Sequence, residues 1–290
     1  MEREAGVSKR LRAIAACAAR LALALCLAAT PVATGAFAQS AAKPKPPVIG
    51  QEGKDAIWVP TPETLIELML DLAKVTPDDK VVDLGSGDGR AVIAAAKRGA
   101  RARGVEYDEN LVAYSKMKAE EAGVAKLASF ERADIFETDF SESTVIVLFL
   151  LPDMNIRLRP KILAMKPGTR VVSNTFGMGG WYPDQKSSLE SECEFFFCEA
   201  LLWVVPAQIG GDWTINAGGK AGKLSLKQEF QMLSGTITVD DKTVPLTEGQ
   251  LLGDHVTFTA GGTVYTGTVR GEMIEGITTP GSEWQARRGA

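Results

Sequence analysis

Between Val81 and Ala96 the chain reads VVDLGSGDGRAVIAAA, an apolar run, then three glycines within five residues, then a helical pattern. Glycine-rich turns between strand and helix occur where backbone approaches a ligand closely, and also where a chain simply turns tightly. The neighbourhood separates these two uses. From Lys80 onwards strand-like and helical segments alternate: KVVDLG, GRAVIAAAKRG, ARARGVEYD, ENLVAYSKMKAEEAG, ASFERAD, TVIVLFLL, IRLRPKILAM and TRVVSNT. The uninterrupted apolar run from Thr144 to Leu151 marks a strand buried on both faces, as in a parallel sheet covered by helices. This predicts an α/β fold whose glycine turn follows the first strand of the alternation and opens a helix. Open parallel sheets bind ligands at such a place, beyond the carboxyl ends of their strands. CEFFFCEALLWVVPA offers a closing pair of strands, one of them antiparallel.

Four regions are expected. Residues 1–38 place Lys9, Arg10, Arg12 and Arg20 before the uncharged LALALCLAATPVATGAFA, which ends in Ala36-Phe37-Ala38, a small-x-small cleavage pattern. That reads as a signal peptide and an exported, periplasmic protein; the alternative is an uncleaved segment that anchors the chain to a membrane. Residues 39–57, rich in Pro, Gly and charge, read as a linker. Residues 58–207 form the ligand-binding domain. It opens on VPTPETLIELMLDLAKV, with Thr61 as the expected cap of a helix starting at Pro62. From 208 to 290 the texture becomes short alternating segments separated by Gly, Asp and Asn, an antiparallel all-β domain of about seven strands that should fold by itself.

Five of the 32 basic and two of the 36 acidic residues lie in 1–38, so the remainder carries 27 basic and 34 acidic residues, a formal charge of −7. An acidic chain is a poor partner for a phosphate backbone, and no nucleic acid is expected. Cys193 and Cys198 remain beyond the leader. An export route permits a disulfide, but positions five apart in a strand point to opposite faces, which favours two buried free thiols. The one histidine, His255, lies in the β domain, so no metal site and no Ser-His or Cys-His pair is expected in the first domain.

The glycine spacing selects the ligand. A dinucleotide turn reads G-x-G-x-x-G after an apolar position, whereas here Gly85, Gly87 and Gly89 follow the pattern G-x-G-x-G, with Asp83 two places before the first glycine. Carboxylates at Asp83 and Asp88 repel a pyrophosphate and attract a ligand carrying an ammonium and a sulfonium, as S-adenosylmethionine does. Glu106 ends the second strand in GVEYD, where a carboxylate can accept from ribose hydroxyls. Asp134, after the third strand in ERAD, is placed either to accept from the adenine amino group or to cap the next segment.

These features resemble class I S-adenosylmethionine-dependent methyltransferases, from about Trp58 to Ala207. VPTPETLIELML, DLGSGDGR, GVEYD, LFLLPDMNIRLRPKI and GTRVVS resemble more narrowly the small family that methylates lysine in the mitochondrial ATP synthase c subunit and the adenine nucleotide translocase. The resemblance implies a Rossmann-like class I methyltransferase sheet and S-adenosylmethionine as cofactor, held by Asp83, Gly85, Ser86, Gly87, Asp88, Gly89, Glu106 and Asp134. It also implies a protein substrate with an accessible lysine. Phe149, Asp153 and Asn155, at the end of the fourth strand, are the expected catalytic group on the methyl-donating face. Asp153 either accepts from the amine or caps the following helix, and Trp181 and Tyr182 either wall the acceptor channel or pack. Methyl transfer to a small molecule and an exported binding module without turnover are the alternative functions.

Overall fold

The computed structural model describes residues 43–189, 197–279 and 281–289. Five strands run parallel: β1 (Lys80–Leu84), β2 (Arg101–Glu106), β3 (Ala128–Arg132), β4 (Val145–Leu148) and β5 (Arg170–Asn174). Two more complete the sheet: β6 (Gln185–Ser188) pairs with β7 (Glu199–Val204), which lies antiparallel to β5, giving the order β3-β2-β1-β4-β5-β7-β6. Side chains along β4 alternate between two cores. Val145 and Val147 meet α1 (Glu63–Leu72), α2 (Arg90–Lys97) and α3 (Glu109–Glu121), whereas Ile146 and Leu148 meet α4 (Pro152–Leu163). Each fully buried aliphatic side chain stabilises the fold by about 1.5–3 kcal/mol, so both faces hold the sheet. The alternation therefore forms the α/β sheet expected of it.

Local chemistry departs from expectation at two places. Thr61 does not cap α1: Pro62 holds the cap position without a side-chain bond, and Thr61 Oγ1 instead accepts from Asn174 Nδ2 at 3.3 Å. Cys198 is disulfide-bonded, which corrects the free-thiol reading; its partner lies outside the described residues, as does Cys193. The opposite-face argument assumed a continuous strand, but β7 starts only at Glu199. The leader also lies outside the described residues, among which no helix is long and apolar enough to cross a membrane.

Within residues 39–57, read as a linker, 44–57 form a strap fixed to the sheet's carboxyl edge. Lys45 and Asn110 exchange hydrogen bonds, Gly50 N donates to the Trp58 carbonyl, and Trp58 N donates to that of Gln51.

Beyond β7 the chain builds a closed antiparallel barrel of eight strands: β8 (Gly211–Ala217), β9 (Lys220–Glu229), β10 (Met232–Val239), β11 (Lys242–Leu252), β12 (His255–Ala260), β13 (Thr263–Arg270), β14 (Met273–Thr279) and β15 (Glu283–Arg288). Pairing of β15 with β8 closes it and leaves no free edge. Tight turns at Gly218-Gly219, Asp240-Asp241 and Gly261-Gly262 have both central residues at positive φ, the geometry that matches strand twist. The strand missing from the sequence count is β11, where Pro245 and a bulge between Thr247 and Gln250, with Glu248 at φ +53°, break the alternation. Trp213, Phe258, Tyr265 and Trp284 help fill the interior.

Candidate active site

Strand order reverses at β1, which pairs with β2 on one side and β4 on the other, and a cavity opens beyond the carboxyl ends of these three strands. The glycine turn forms its floor. Gly85, Gly87 and Gly89 have φ of +83°, +53° and +82°. Space also requires glycine here: a Cβ on Gly87 would lie 2.5 Å from Trp58 Nε1, and one on Gly89 within 2.8 Å of Phe130 and Ser115. Gly85 N and Ser86 N both donate to the Val105 carbonyl, which binds the turn to β2.

The acids predicted from sequence converge on this cavity, with different partners. Asp83 lines it and accepts no hydrogen bond among the described residues; burial, then repulsion from Glu106 and Asp88, pushes its carboxyl up to about 8. Glu106 ends β2. One of its oxygens accepts from Gly87 N at 2.9 Å and the other from Tyr107 N and Asp108 N at 2.7 and 2.9 Å. Burial raises its pKa, and these three N–H groups oppose the rise. Asp88 is held in a fork by Arg90, with Nε and Nη2 at 2.7–3.1 Å, and Arg90 Nη1 donates to the Thr61 carbonyl at 2.9 Å. Its charge is compensated inside the protein, so Asp83 is the acid left for a cation. Asp134 accepts from Phe136 N at 2.8 Å and pairs with Lys54 of the strap, whose ammonium lowers its pKa and also sits 4.9 Å from the centre of the Tyr107 ring.

The acceptor-side residues are not brought together. Phe149 lines the cavity, with Leu150 and Met154 beside it. Asp153 is exposed in the first turn of α4, makes no capping bond, and does not line the cavity. Asn155 is fully buried; its Nδ2 donates to the carbonyls of Phe176 and Gly177 at 3.1 and 3.3 Å. Trp181 is buried and packs, and Tyr182 is 75% exposed. Sequence reasoning missed Trp58, Lys54 and Arg90, which complete the wall, and Phe176, whose ring lies parallel to that of Phe149 at 6.1 Å. The signal for Arg90 was its position directly after the last glycine; the strap residues carried none.

A sheet of this order with its one antiparallel reversal at β7, a D-x-G-x-G-x-G turn after β1 and an acid at the end of β2 together define a class I S-adenosylmethionine-dependent methyltransferase. A family model described as the ANTKMT methyltransferase domain matches residues 83–185. The protein-lysine N-methyltransferase of Saccharolobus islandicus (strain REY15A) is 44% identical over 136 residues, which are 46% of this chain and 84% of that protein. The chain belongs to the same methyltransferase family as that protein. The lysine N-methyltransferase of Mus musculus named for the ATP synthase c subunit is 42% identical over 105 residues, 36% of this chain and 42% of its own length. A solved structure described as an RNA methyltransferase from Salinibacter ruber in complex with S-adenosyl-L-homocysteine is 46% identical, covering 52% of this chain and 96% of that one, with a TM-score of 0.49.

The residues present fit the cofactor. Asp83 offers a buried carboxyl with no cationic partner, which a positively charged ligand group would hold in its ionised form, and Ser86 Oγ is buried without a hydrogen-bond partner among the described residues. Asp83, Ser86, Gly87 and Glu106 would hold it, with Trp58 above the glycine turn. When bound, S-adenosylmethionine supplies a methyl group already activated by its sulfonium. The protein's own part is to align an acceptor, exclude water and keep the acceptor atom unprotonated.

Proposed function

We propose that this chain methylates the side-chain amine of a lysine in a protein substrate. The observation that carries this reading is the apolar wall of the cavity beyond β4, where Phe149, Leu150 and Met154 stand and the nearest acid predicted for that side, Asp153, points to solvent. An amine entering dry surroundings has its pKa lowered, so it gives its proton to water and keeps a free lone pair on nitrogen. A carboxylate at that spot would hold the ammonium form instead. The lysine methyltransferase names of the relatives support the same acceptor class.

The test is transfer of radiolabelled methyl from S-adenosylmethionine to proteins of a cell extract, followed by mass spectrometry of modified residues. Methyl-lysine in protein is the expected product. Label confined to small molecules overturns the lysine assignment and leaves methyl transfer standing; no label anywhere favours a binding protein without turnover. From the leader pattern at residues 1–38 we also infer export, which the mass of the mature N-terminus in isolated cell fractions checks.

A further inference from the structure

The segment that follows β5 reads TFGMGGWYPD, residues 175–184, with three glycines in four positions. Such a segment carries high backbone entropy and takes one conformation only when it is held from outside. At its near end it is held by the first domain. Asn155 Nδ2 donates to the carbonyls of Phe176 and Gly177, and Ser173 Oγ donates to the Phe176 carbonyl at 2.8 Å. Thr175 lies at φ +58°, a conformation unfavourable for a β-branched residue, and the turn sets the Phe176 ring parallel to that of Phe149, which itself lines the cavity. Phe197 closes this group, 5.5 Å from both rings.

At its far end the segment is held by the barrel. The two-residue turn between β9 and β10 is Phe230-Gln231, and Phe230 lies at φ +53°. A bulky aromatic residue in the left-handed region is strained, and such strain persists where its surroundings over-determine it. Here the Phe230 ring stacks on Trp181, centroids 6.1 Å apart and planes 15° apart, and joins the core beneath α4. Arg159 stands 5.2 Å from the same ring and donates to the Met178 carbonyl at 2.7 Å. Gln231, 5% exposed, donates to the Tyr182 carbonyl at 2.8 Å and to Asp184 Oδ1 at 3.3 Å, while Asp184 Oδ2 accepts from Val204 N of β7 at 2.7 Å. The barrel therefore contacts the first domain through this turn.

We propose that the barrel is a positioning element for the acceptor side of the site: through Phe230 and Gln231 it fixes the glycine-rich segment that seats Phe176 against Phe149. The cofactor side has no such dependence, since Asp83, Glu106 and the glycine turn are held by β1, β2 and the strap. The assignment of an acceptor side rests on the reading under Proposed function.

The full chain is compared with Phe230→Asn, Phe230→Tyr and Gln231→Ala. Asparagine tolerates a left-handed backbone, so Phe230→Asn removes the ring while keeping the turn. Three measurements are made: affinity for S-adenosylhomocysteine by calorimetry, amide exchange across 175–184, and methyl transfer to poly-L-lysine. In Phe230→Asn, cofactor affinity is expected to stay within about twofold while exchange in 175–184 rises about tenfold or more, with β1 and β4 unchanged. The KM for poly-L-lysine should rise by more than kcat falls, and Phe230→Tyr should restore both. Gln231→Ala should shift exchange and KM in the same direction to a smaller degree. Unchanged exchange in 175–184, or cofactor affinity falling in step with methyl transfer, overturns the proposal. Failure of the unmodified chain to methylate poly-L-lysine counts against the lysine reading alone, and the exchange result still decides the barrel's role.

Discussion

Glu106 accepts the backbone N–H of Gly87 at 2.9 Å across the gap between β2 and the turn after β1. Together with the bonds from Gly85 N and Ser86 N to the Val105 carbonyl, this bond stitches the two halves of the cavity floor together. Because its second oxygen already takes two N–H groups, Glu106 commits three of a carboxylate's roughly four acceptor positions to backbone. Glu106→Ala leaves those donors unpaired and should weaken S-adenosylhomocysteine binding by about 1.5–3 kcal/mol. Glu106→Gln, which keeps an accepting oxygen, should lose less. Calorimetry on folded variants checks both, and equal affinities for the alanine variant and the unmodified chain remove Glu106 from the site.

Asp83 makes stability depend on pH in an unusual sense. Its folded pKa, about 8, lies above the ordinary 3.8, so between these values the folded chain holds a proton that the unfolded chain has released. This group's contribution is therefore full below about pH 4 and is lost as pH rises through about 8. Asp83→Asn should abolish that slope. The thermal midpoint of the cofactor-free variant should exceed that of the unmodified chain by a margin that grows from pH 5 to pH 8, and a margin independent of pH refutes the assignment.

The ammonium group of a bound ligand reverses the same balance. Binding beside Asp83 favours the ionised carboxylate, so S-adenosylhomocysteine binding below pH 8 should release a proton, and affinity should rise with pH by up to about tenfold per unit before levelling off. Calorimetry in two buffers of different ionisation enthalpy counts that proton. Asp83→Asn should bind more weakly and release none.

Lys54 and Asp134 form an ion pair, and both line the cavity. If Asp134 receives the adenine amino group, Lys54 must yield part of that carboxylate. Lys54→Ala should then bind S-adenosylhomocysteine more tightly and show less dependence on salt, whereas Asp134→Asn should bind it more weakly. Weaker binding by Lys54→Ala would show that the strap lysine holds the ligand itself.

Asp153→Ala should leave cofactor affinity and methyl transfer within about twofold, because the carboxylate is exposed and outside the cavity wall. Asn155→Ala should instead lower stability by about 1–3 kcal/mol, since two carbonyls lose their buried donor. A large loss of turnover in Asp153→Ala at full stability would return that residue to the acceptor site.

Much of the cofactor side was legible in the sequence because it is local. The G-x-G-x-G spacing, Asp83 near the end of β1 and Glu106 at the end of β2 occupy positions that strand period and turn chemistry dictate, and the sheet brings strand ends together whatever else the chain does. Partners were less legible. That Arg90 neutralises Asp88 two residues away follows from how the helix starts, and that Thr61 pairs with Asn174 rather than capping α1 depends on a neighbour 113 positions distant. The expectation of about seven strands missed β11 because a bulge erases the two-residue period by which strands are recognised.

By itself, then, the sequence determined the order of strands and helices, the glycine turn and the acids of the cofactor floor, each encoded within a few residues by periodicity and allowed backbone angles. Tertiary structure alone decided which of those acids stay uncompensated, that residues 51–57 line the cavity, and that the barrel reaches the loop beside Phe149. The physical reason is that charge compensation and packing are sums over neighbours in space. Phe230 and Trp181 are 49 positions apart, and neither segment carries a pattern that names the other.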